Sequence, residues 1–178
     1  RASNHTVPIL VEVYKQYKQL PSQDRYTLYQ SRFFDFGILP TDKVLDIGSG
    51  HLPFPLATHL GEFAIEDASY GRAGQPFRYV EGKPVIQCNV EEMPFADKEF
   101  DFIYCSHVLE HVASPEKACR ELMRVGKRGY IEVPKRYVDL WFNTAKLSNH
   151  RWTVDLINGI LVFREYTPEE IEGLQCNL

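Results

Sequence analysis

The sequence has 178 residues, which is enough for one compact domain and too few for two domains of ordinary size. Hydrophobic residues make up 44% of it and charged residues 25%, a composition that argues against disordered, collagen-like and coiled-coil chains. The formal net charge of -4 argues against a strongly basic nucleic-acid-binding surface, and no apolar run approaches the roughly 20 residues that span a bilayer. We therefore expect a single domain over residues 1–178, with no nucleic-acid partner and no membrane contact.

The first forty residues have a helical pattern. Apolar side chains recur at three- and four-residue spacings from Val7 to Leu20, and Pro21 ends this first helix. Ser22 is a suitable N-cap for a second helix that runs to about Phe36. We treat residues 1–40 as amino-terminal helices that precede the core of the domain.

Strand and helix patterns alternate through the middle of the chain. Short apolar runs predict strands over 43–47, 84–88, 100–105 and 129–133, and Ser114 to Val125 has the spacing of an amphipathic helix. This alternation is typical of a parallel sheet with helices on both faces. Near the carboxyl end, the β-rich runs 152–157 and 160–166 flank Asn158-Gly159, a strong hairpin signal. The sequence thus predicts a mixed sheet.

The first predicted strand contains Asp46 and leads directly into Gly48-Ser49-Gly50. Doubly wound folds bind ligands at the carboxyl ends of their strands, where glycine lets the backbone approach the ligand closely. The same turn also serves purely structural purposes. Leu52 and Pro53 follow in place of a dinucleotide fingerprint, which disfavours a pyrophosphate cofactor.

Four further stretches extend this pattern: 88–95, which contains Asn89-Val90-Glu91, 97–111, which contains Ser106-His107, 121–125 and 128–134. Together with Val44-Leu-Asp-Ile-Gly-Ser-Gly50, they resemble the class I S-adenosylmethionine-dependent methyltransferases, in particular the small methyltransferase-11-like type. The resemblance covers 44–134. It implies an α/β fold with a Rossmann-like, doubly wound, mostly parallel seven-stranded sheet, in which a C-terminal antiparallel β-hairpin supplies the last two strands. It places the cofactor-binding core at 41–134.

The resemblance also implies S-adenosyl-L-methionine as cofactor and S-adenosyl-L-homocysteine as its product. The glycine loop and Asp46 would hold the methionine end. Asn89 stands where the family usually has an acid that faces the adenine amine, and its side-chain oxygen can still accept a hydrogen bond from that amine. The implied cofactor residues are Asp46, Gly48, Ser49, Gly50, Glu62, Asn89, Val90, Glu91, Ser106 and His107.

Two acids compete for the ribose hydroxyls, which the family binds with an acid after the second strand. Pro53 and Pro55 disfavour a full helix after the glycine loop, so the second strand comes early and selects Glu62. The spacing of more regular relatives selects Asp67 instead. We favour Glu62.

Residues 107–111 also spell His-x-x-Glu-His, an inverted zinc-peptidase motif when it lies on a helix. We disfavour that interpretation because these residues follow a buried strand of a fold that the cofactor already explains. The four cysteines show neither Cys-x-x-Cys nor zinc-finger spacing, so we expect no metal and a reducing, cytoplasmic location. The chain begins at Arg1 rather than Met, which fits fusion to other domains in a longer protein.

The segment from 135 to 178 is predicted to hold the acceptor and to complete the sheet. Tyr137, Trp141, Arg151 and Trp152 can stack on a ring and donate hydrogen bonds, although both tryptophans also fit a core position. The expected reaction is methyl transfer to a small-molecule or sugar hydroxyl, in glycan biosynthesis. His107 is the expected base, with His111 and His150 behind it. The alternative is a domain that binds the cofactor without catalysis within a larger protein.

Overall fold

The computed structural model of the protein describes residues 24–72, 74–136 and 149–170. The predicted helix from Val7 to Leu20 therefore lies outside the described residues. Five strands form a parallel sheet in the order β3-β2-β1-β4-β5, and two more form a separate antiparallel hairpin. The strands are β1 Val44–Ile47, β2 His59–Glu62, β3 Val85–Gln87, β4 Phe100–Ser106, β5 Gly126–Glu132, β6 Trp152–Ile157 and β7 Ile160–Glu165.

The central strands β1 and β4 are nearly continuous apolar runs because both of their faces are covered. Every residue of β1 is buried, and so is every residue of β4 except Asp101. The pairing of β1 with β4 runs from Val44 opposite Phe102 to Ile47 opposite Cys105, so both strands end at the same edge of the sheet. The strand order reverses between β1 and β4, which is the point where open α/β sheets bind ligands.

Two apolar clusters lie on opposite faces of the sheet, because successive side chains of a strand point to opposite sides. Leu45 and Ile103 belong to one cluster, which the helix between β4 and β5 covers. Val44 and Phe102 belong to the other, which contains Phe54 and is packed by aromatic side chains of the amino-terminal segment. Among the described residues, loops and aromatic side chains cover much of this second face, where helices were expected.

The amino-terminal helix α1 begins with a π-helical turn, Tyr26–Gln30, and continues as an α-helical turn, Ser31–Phe33. It ends before Phe36, where the sequence predicted its end. The reason is tertiary packing: the chain becomes extended at Phe34, and this places the rings of Phe34 and Phe36 against that of Tyr130.

The helix α2, Pro115–Val125, confirms the predicted amphipathic helix, and the Ser114 hydroxyl accepts a hydrogen bond from the Lys117 amide at 3.4 Å. Strand β5 follows at Gly126 without a loop, earlier than the predicted start at 129. A Cβ at Gly126 would lie 2.8 Å from the Ile103 side chain, so glycine permits this close passage from helix to strand. No described helix has both the length and the apolarity to cross a membrane.

The α/β class, the parallel sheet and the C-terminal hairpin are confirmed. A single sheet of seven strands is not confirmed, because the described residues form five parallel strands and a hairpin that is a sheet of its own. The turn between β6 and β7 does lie at Asn158-Gly159, and both residues have positive φ, 50° and 79°. That conformation is the one that makes Asn-Gly a hairpin signal.

Candidate active site

A cavity of about 330 Å³ opens at the carboxyl ends of β1, β2 and β4. The loops that follow β1 and β4 diverge because the strand order reverses between them, and this leaves the space. Most of the sequence-predicted site residues are therefore brought together. Those that border the cavity are Gly48, Ser49, Gly50, Glu62, Asn89, Val90, Glu91, Ser106, His107, His111 and Arg151.

The glycine loop closes tightly over the end of the sheet. The amides of Gly48 and Ser49 both donate to the Gly61 carbonyl oxygen, at 2.8 and 3.2 Å. Gly48 and Gly50 have φ values of 74° and 55°, in the region that favours glycine. A Cβ at Gly48 would lie 2.3 Å from a methyl group of Val108. The Ser49 hydroxyl is buried and has no hydrogen-bond partner among the described residues, so it is available to a bound ligand.

Asp46 lies behind this loop rather than in the cavity wall. Its side chain is 2% exposed, and it accepts a hydrogen bond from the Phe54 amide at 2.7 Å. Burial raises its pKa to about 7. Asp46 therefore shapes the loop through this hydrogen bond, and its predicted contact with the cofactor stays a prediction.

Glu62 ends β2 and turns its carboxylate toward the glycine loop. One oxygen accepts from the Gly50 amide at 2.9 Å and the other from the Phe63 amide at 3.1 Å. Arg72, itself 4% exposed, has its guanidinium 3.7 Å from this carboxylate. The competing acid, Asp67, lies on an exposed turn outside the cavity, where it accepts hydrogen bonds from Ser69.

Asn89, Val90 and Glu91 follow β3 and border the cavity. The Asn89 side-chain oxygen accepts from the Glu91 amide at 2.9 Å, so part of its accepting capacity is used within this turn. The Glu91 carboxylate accepts from the amides of Ala113 and Ser114, at 2.6 and 3.1 Å. Glu91 therefore ties this turn to the segment before α2.

His107 follows β4 and lies between two carboxylates. Its Nδ1 is 3.3 Å from Glu110 and its Nε2 is 3.4 Å from Glu132. Burial lowers the pKa of His107, but the hydrogen bonds to the two carboxylates outweigh burial, and the pKa lies above its ordinary value. The residue has a left-handed φ of 58° at the start of the turn that follows β4.

The His-x-x-Glu-His motif does not lie on a helix, because residues 107–114 form turns and α2 begins at Pro115. Within this turn, His111 Nδ1 is 2.6 Å from the Asn149 carbonyl oxygen. The ring of His111 is also 4.7 Å from that of His150, edge to face. His111 borders the cavity, whereas His150 is buried beside it. A helical peptidase motif is therefore excluded.

The predicted acceptor segment is only partly described. Tyr137 and Trp141 lie outside the described residues. Arg151 borders the cavity and pairs with Glu165 at 2.7 Å. Trp152 lies outside the cavity wall and packs against the core, with its indole N–H donating to the Val112 carbonyl at 2.7 Å. Of its two predicted roles, the core position is the one observed.

The sequence analysis missed Glu132, which ends β5. Its carboxylate accepts hydrogen bonds from the hydroxyls of Tyr29 and Tyr130, at 2.5 and 2.7 Å, and from Gln30 at 2.9 Å. Burial raises its pKa, but these hydrogen bonds and that of His107 lower it well below the ordinary range. Its position near the carboxyl end of the strand predicted over 129–133, where such folds bind ligands, could have identified Glu132 as a candidate site residue.

Residues 45–131 match a family model described as "Methyltransferase domain". The curated protein "Ubiquinone/menaquinone biosynthesis C-methyltransferase UbiE" of Xanthomonas oryzae pv. oryzae is 35% identical over 103 residues, which cover 52% of this chain and 41% of that protein. The "Uncharacterized protein MJ1123" of Methanocaldococcus jannaschii is 27% identical over 121 residues, 60% of this chain and 56% of that protein. The chain thus spans about two fifths of the length of the UbiE relatives that it matches.

Two solved structures are also similar. A SAM-dependent methyltransferase from Methanosarcina mazei is 19% identical, with 85% of this chain and 82% of that chain covered and a TM-score of 0.46. The PH0226 protein from Pyrococcus horikoshii is 17% identical, with 84% of this chain and 76% of that chain covered and a TM-score of 0.45.

Proposed function

Residues 45–131 belong to the class I S-adenosylmethionine-dependent methyltransferases, and from this membership we propose that the chain transfers a methyl group to a small-molecule acceptor. S-adenosylmethionine is the cofactor of this family. When bound, it supplies the methyl group as a sulfonium and leaves as a neutral thioether. The observation that carries the proposal is the cavity, where the glycine loop, Glu62, the Asn89 turn and His107 meet.

The residues of the cavity fit this cofactor. The unpartnered Ser49 hydroxyl and the loop backbone offer polar contacts for the amino-acid end. An ionised carboxylate has about four acceptor positions. The Gly50, Phe63 and Ala64 amides use three of those on Glu62, which leaves one acceptor position for a ribose hydroxyl. Val90 and Asn89, at the far end of the same cavity wall, are proposed to contact the base.

We place the methylated atom on carbon. This choice is supported by the names of the UbiE relatives, which describe a C-methyltransferase of ubiquinone and menaquinone biosynthesis. A ring carbon becomes nucleophilic when a neighbouring hydroxyl ionises, and the carbon loses its own proton after the new bond has formed. His107 borders the cavity and is proposed to receive a proton from the acceptor. Much of the rate enhancement is expected from alignment of the two reactants.

A sugar hydroxyl is the second candidate acceptor. It was expected from an aromatic segment that could stack on a sugar ring. Two of those aromatic residues lie outside the described residues, and the indole N–H of Trp152 already donates to a backbone carbonyl. The described residues therefore offer a sugar less support than the relatives offer a ring carbon.

The experiment is an acceptor panel with the purified chain and S-adenosylmethionine carrying a ¹³C methyl group. Release of S-adenosylhomocysteine reports turnover, and the ¹³C shift of the product distinguishes a methyl group on carbon from one on oxygen. Hydroquinones and nucleotide-linked sugars form the two arms. Turnover with a hydroquinone and a carbon-bound label is the expected result. An oxygen-bound label on a sugar would replace the first candidate by the second.

Binding is measured in parallel, because a domain that binds the cofactor without catalysis is the remaining alternative. At a cofactor concentration one hundred times the dissociation constant, binding raises the free energy of unfolding by about 2.7 kcal/mol, whether the domain is catalytic or not. Stabilisation without turnover on any acceptor would favour the non-catalytic domain, and no binding at all would overturn the proposal. His107→Gln is expected to lower turnover with cofactor binding retained. His59→Gln, at the amino end of β2 and away from the cavity, is the matched control.

A further inference from the structure

The carboxylate of Glu110 is fully buried in the turn between β4 and α2. Apart from its long contact with the His107 ring, neither of its oxygens has a hydrogen-bond partner among the described residues. Its nearest potential partners are His107 Nδ1 at 3.3 Å and His111 Nε2 at 3.9 Å, both measured to Oε1. A buried carboxylate is costly unless a positive group is close to it. The position therefore favours a cation.

The His111 ring is oriented so that its Nε2 can bind such a cation. The 2.6 Å contact between Nδ1 and the Asn149 carbonyl oxygen requires a proton on Nδ1, because a carbonyl oxygen can only accept. In the neutral ring this leaves a lone pair on Nε2, the nitrogen that faces Glu110. Histidines that bind metals commonly donate their other ring N–H to a backbone carbonyl in this way.

His150 supplies a third donor atom at the same place. One ligand atom from each of Glu110, His111 and His150 lies within 4.8 Å of the other two. In a tetrahedral zinc site with bonds of about 2.0 Å, the ligand atoms are about 3.3 Å apart. Each pair of ligand atoms therefore has to approach by at most about 1.5 Å, a movement that small side-chain rotations can supply.

We propose that Glu110, His111 and His150 bind one divalent transition-metal ion, and that two imidazoles with one carboxylate favour Zn²⁺. This departs from the expectation of no metal, which weighed cysteine spacing and a helical His-x-x-Glu-His motif but could not bring His150 beside Glu110 and His111. Three protein ligands leave a fourth position open, as in catalytic rather than structural zinc sites. His111 is the ligand that borders the cavity, so the proposed ion would lie beside that cavity. The metal site does not depend on the proposed methyl transfer.

The test is metal binding by the full chain, without cofactor. The protein is stripped with a chelator and titrated with Zn²⁺ by calorimetry. A parallel titration uses Co²⁺, whose visible absorption reports coordination number. The expected result is one ion per chain and the intense spectrum of four-coordinate Co²⁺. Absence of saturable binding, or the weak spectrum of six-coordinate Co²⁺, would overturn the proposal whatever the methyl-transfer assays show.

Substitutions locate the ion. Glu110→Gln and His150→Gln are each expected to lower the Zn²⁺ affinity by more than about 100-fold, since even the outer partners of metal ligands contribute about 10- to 100-fold. His59→Gln is the matched control and should bind as the parent does. Circular dichroism checks that each variant is folded. If Glu110→Gln does not fold, the test of the site rests on His150→Gln, which leaves the buried carboxylate of Glu110 unchanged. Parent-like affinity in His150→Gln would refute the assigned site.

Discussion

Gly48 is the residue of the glycine loop whose replacement tests the geometry of the cavity most sharply. Its φ of 74° strains any side-chain-bearing residue, and a Cβ there would lie 2.3 Å from a methyl group of Val108. Gly82 has nearly the same φ, 76°, but nothing lies within 4 Å of its added Cβ. The pair Gly48→Ala and Gly82→Ala thus separates backbone strain from steric overlap.

The two contributions have different magnitudes. A left-handed backbone costs a non-glycine residue about 1–2 kcal/mol, and Gly82→Ala should lower the free energy of unfolding by that amount alone. Overpacking against a neighbour adds typically 1–3 kcal/mol. We therefore expect Gly48→Ala to lower the free energy of unfolding by about 2–5 kcal/mol. In a Val108→Ala background the overlapping methyl group is gone, and only the backbone cost should remain.

The assay is urea denaturation of the parent, the single variants and the Gly48→Ala/Val108→Ala double variant, combined in a double-mutant cycle. The expected coupling energy is the overpacking cost of about 1–3 kcal/mol, which lies within the range of about 0.5–3 kcal/mol for residues in direct contact. Cofactor affinity, measured by calorimetry, should fall with Gly48→Ala and not with Gly82→Ala. Equal destabilisation by the two alanines, or a coupling energy near zero, would show that Val108 does not lie against the loop.

Glu62→Gln is expected to weaken cofactor binding about 10-fold or more in calorimetry, because hydrogen bonds to a charged group contribute about 1.5–3 kcal/mol; Asp67→Asn is its control, and equal effects would exclude Glu62 as the ribose ligand. Ser114→Ala removes the N-cap of α2 and should lower the free energy of unfolding by about 1 kcal/mol in urea denaturation. Burial raises the pKa of Asp46 to about 7, so the native state retains a proton that the unfolded chain has released. The free energy of unfolding should therefore fall between about pH 4 and pH 7, by at most about 4 kcal/mol, and Asp46→Asn should remove that fall in urea denaturation across this range.

Local patterns were sufficient for the elements whose structure depends on neighbouring residues. The continuous apolar run from Phe100 was sufficient to predict a buried strand. A strand whose two faces are both covered is apolar throughout and shows no alternating pattern. The helix after Ser114 combines a capping side chain with proline at its first position, and both act within one turn. Asn158-Gly159 determines its hairpin by its own backbone preference.

Other features depend on contacts between distant parts of the chain. The amino-terminal helix stops early because Phe34 and Phe36 pack on Tyr130, a residue about a hundred positions away. Glu132 becomes a centre of hydrogen bonds only because the parallel register sets it opposite Ser106, beside His107. Neither the register nor the packing partner can be inferred from periodicity. The helical interpretation of residues 107–111, already disfavoured from the sequence, is excluded because these residues form turns that begin at the left-handed φ of His107.

The same distinction divides the cavity into two walls. Toward β1, β2 and β3, the glycine loop, Glu62 and Asn89 lie at or just after the ends of their own strands, so each could be identified from its local motif. Beyond the end of β4, the wall contains His107, which lies beside Glu132 of β5. Arg25 and Arg151, from distant parts of the described chain, also border the cavity there. A binding site for a cofactor shared by a whole family can be built from local motifs. The chemistry offered to the acceptor depends on tertiary packing, and it is on this wall that the proton acceptor and the metal ion are proposed.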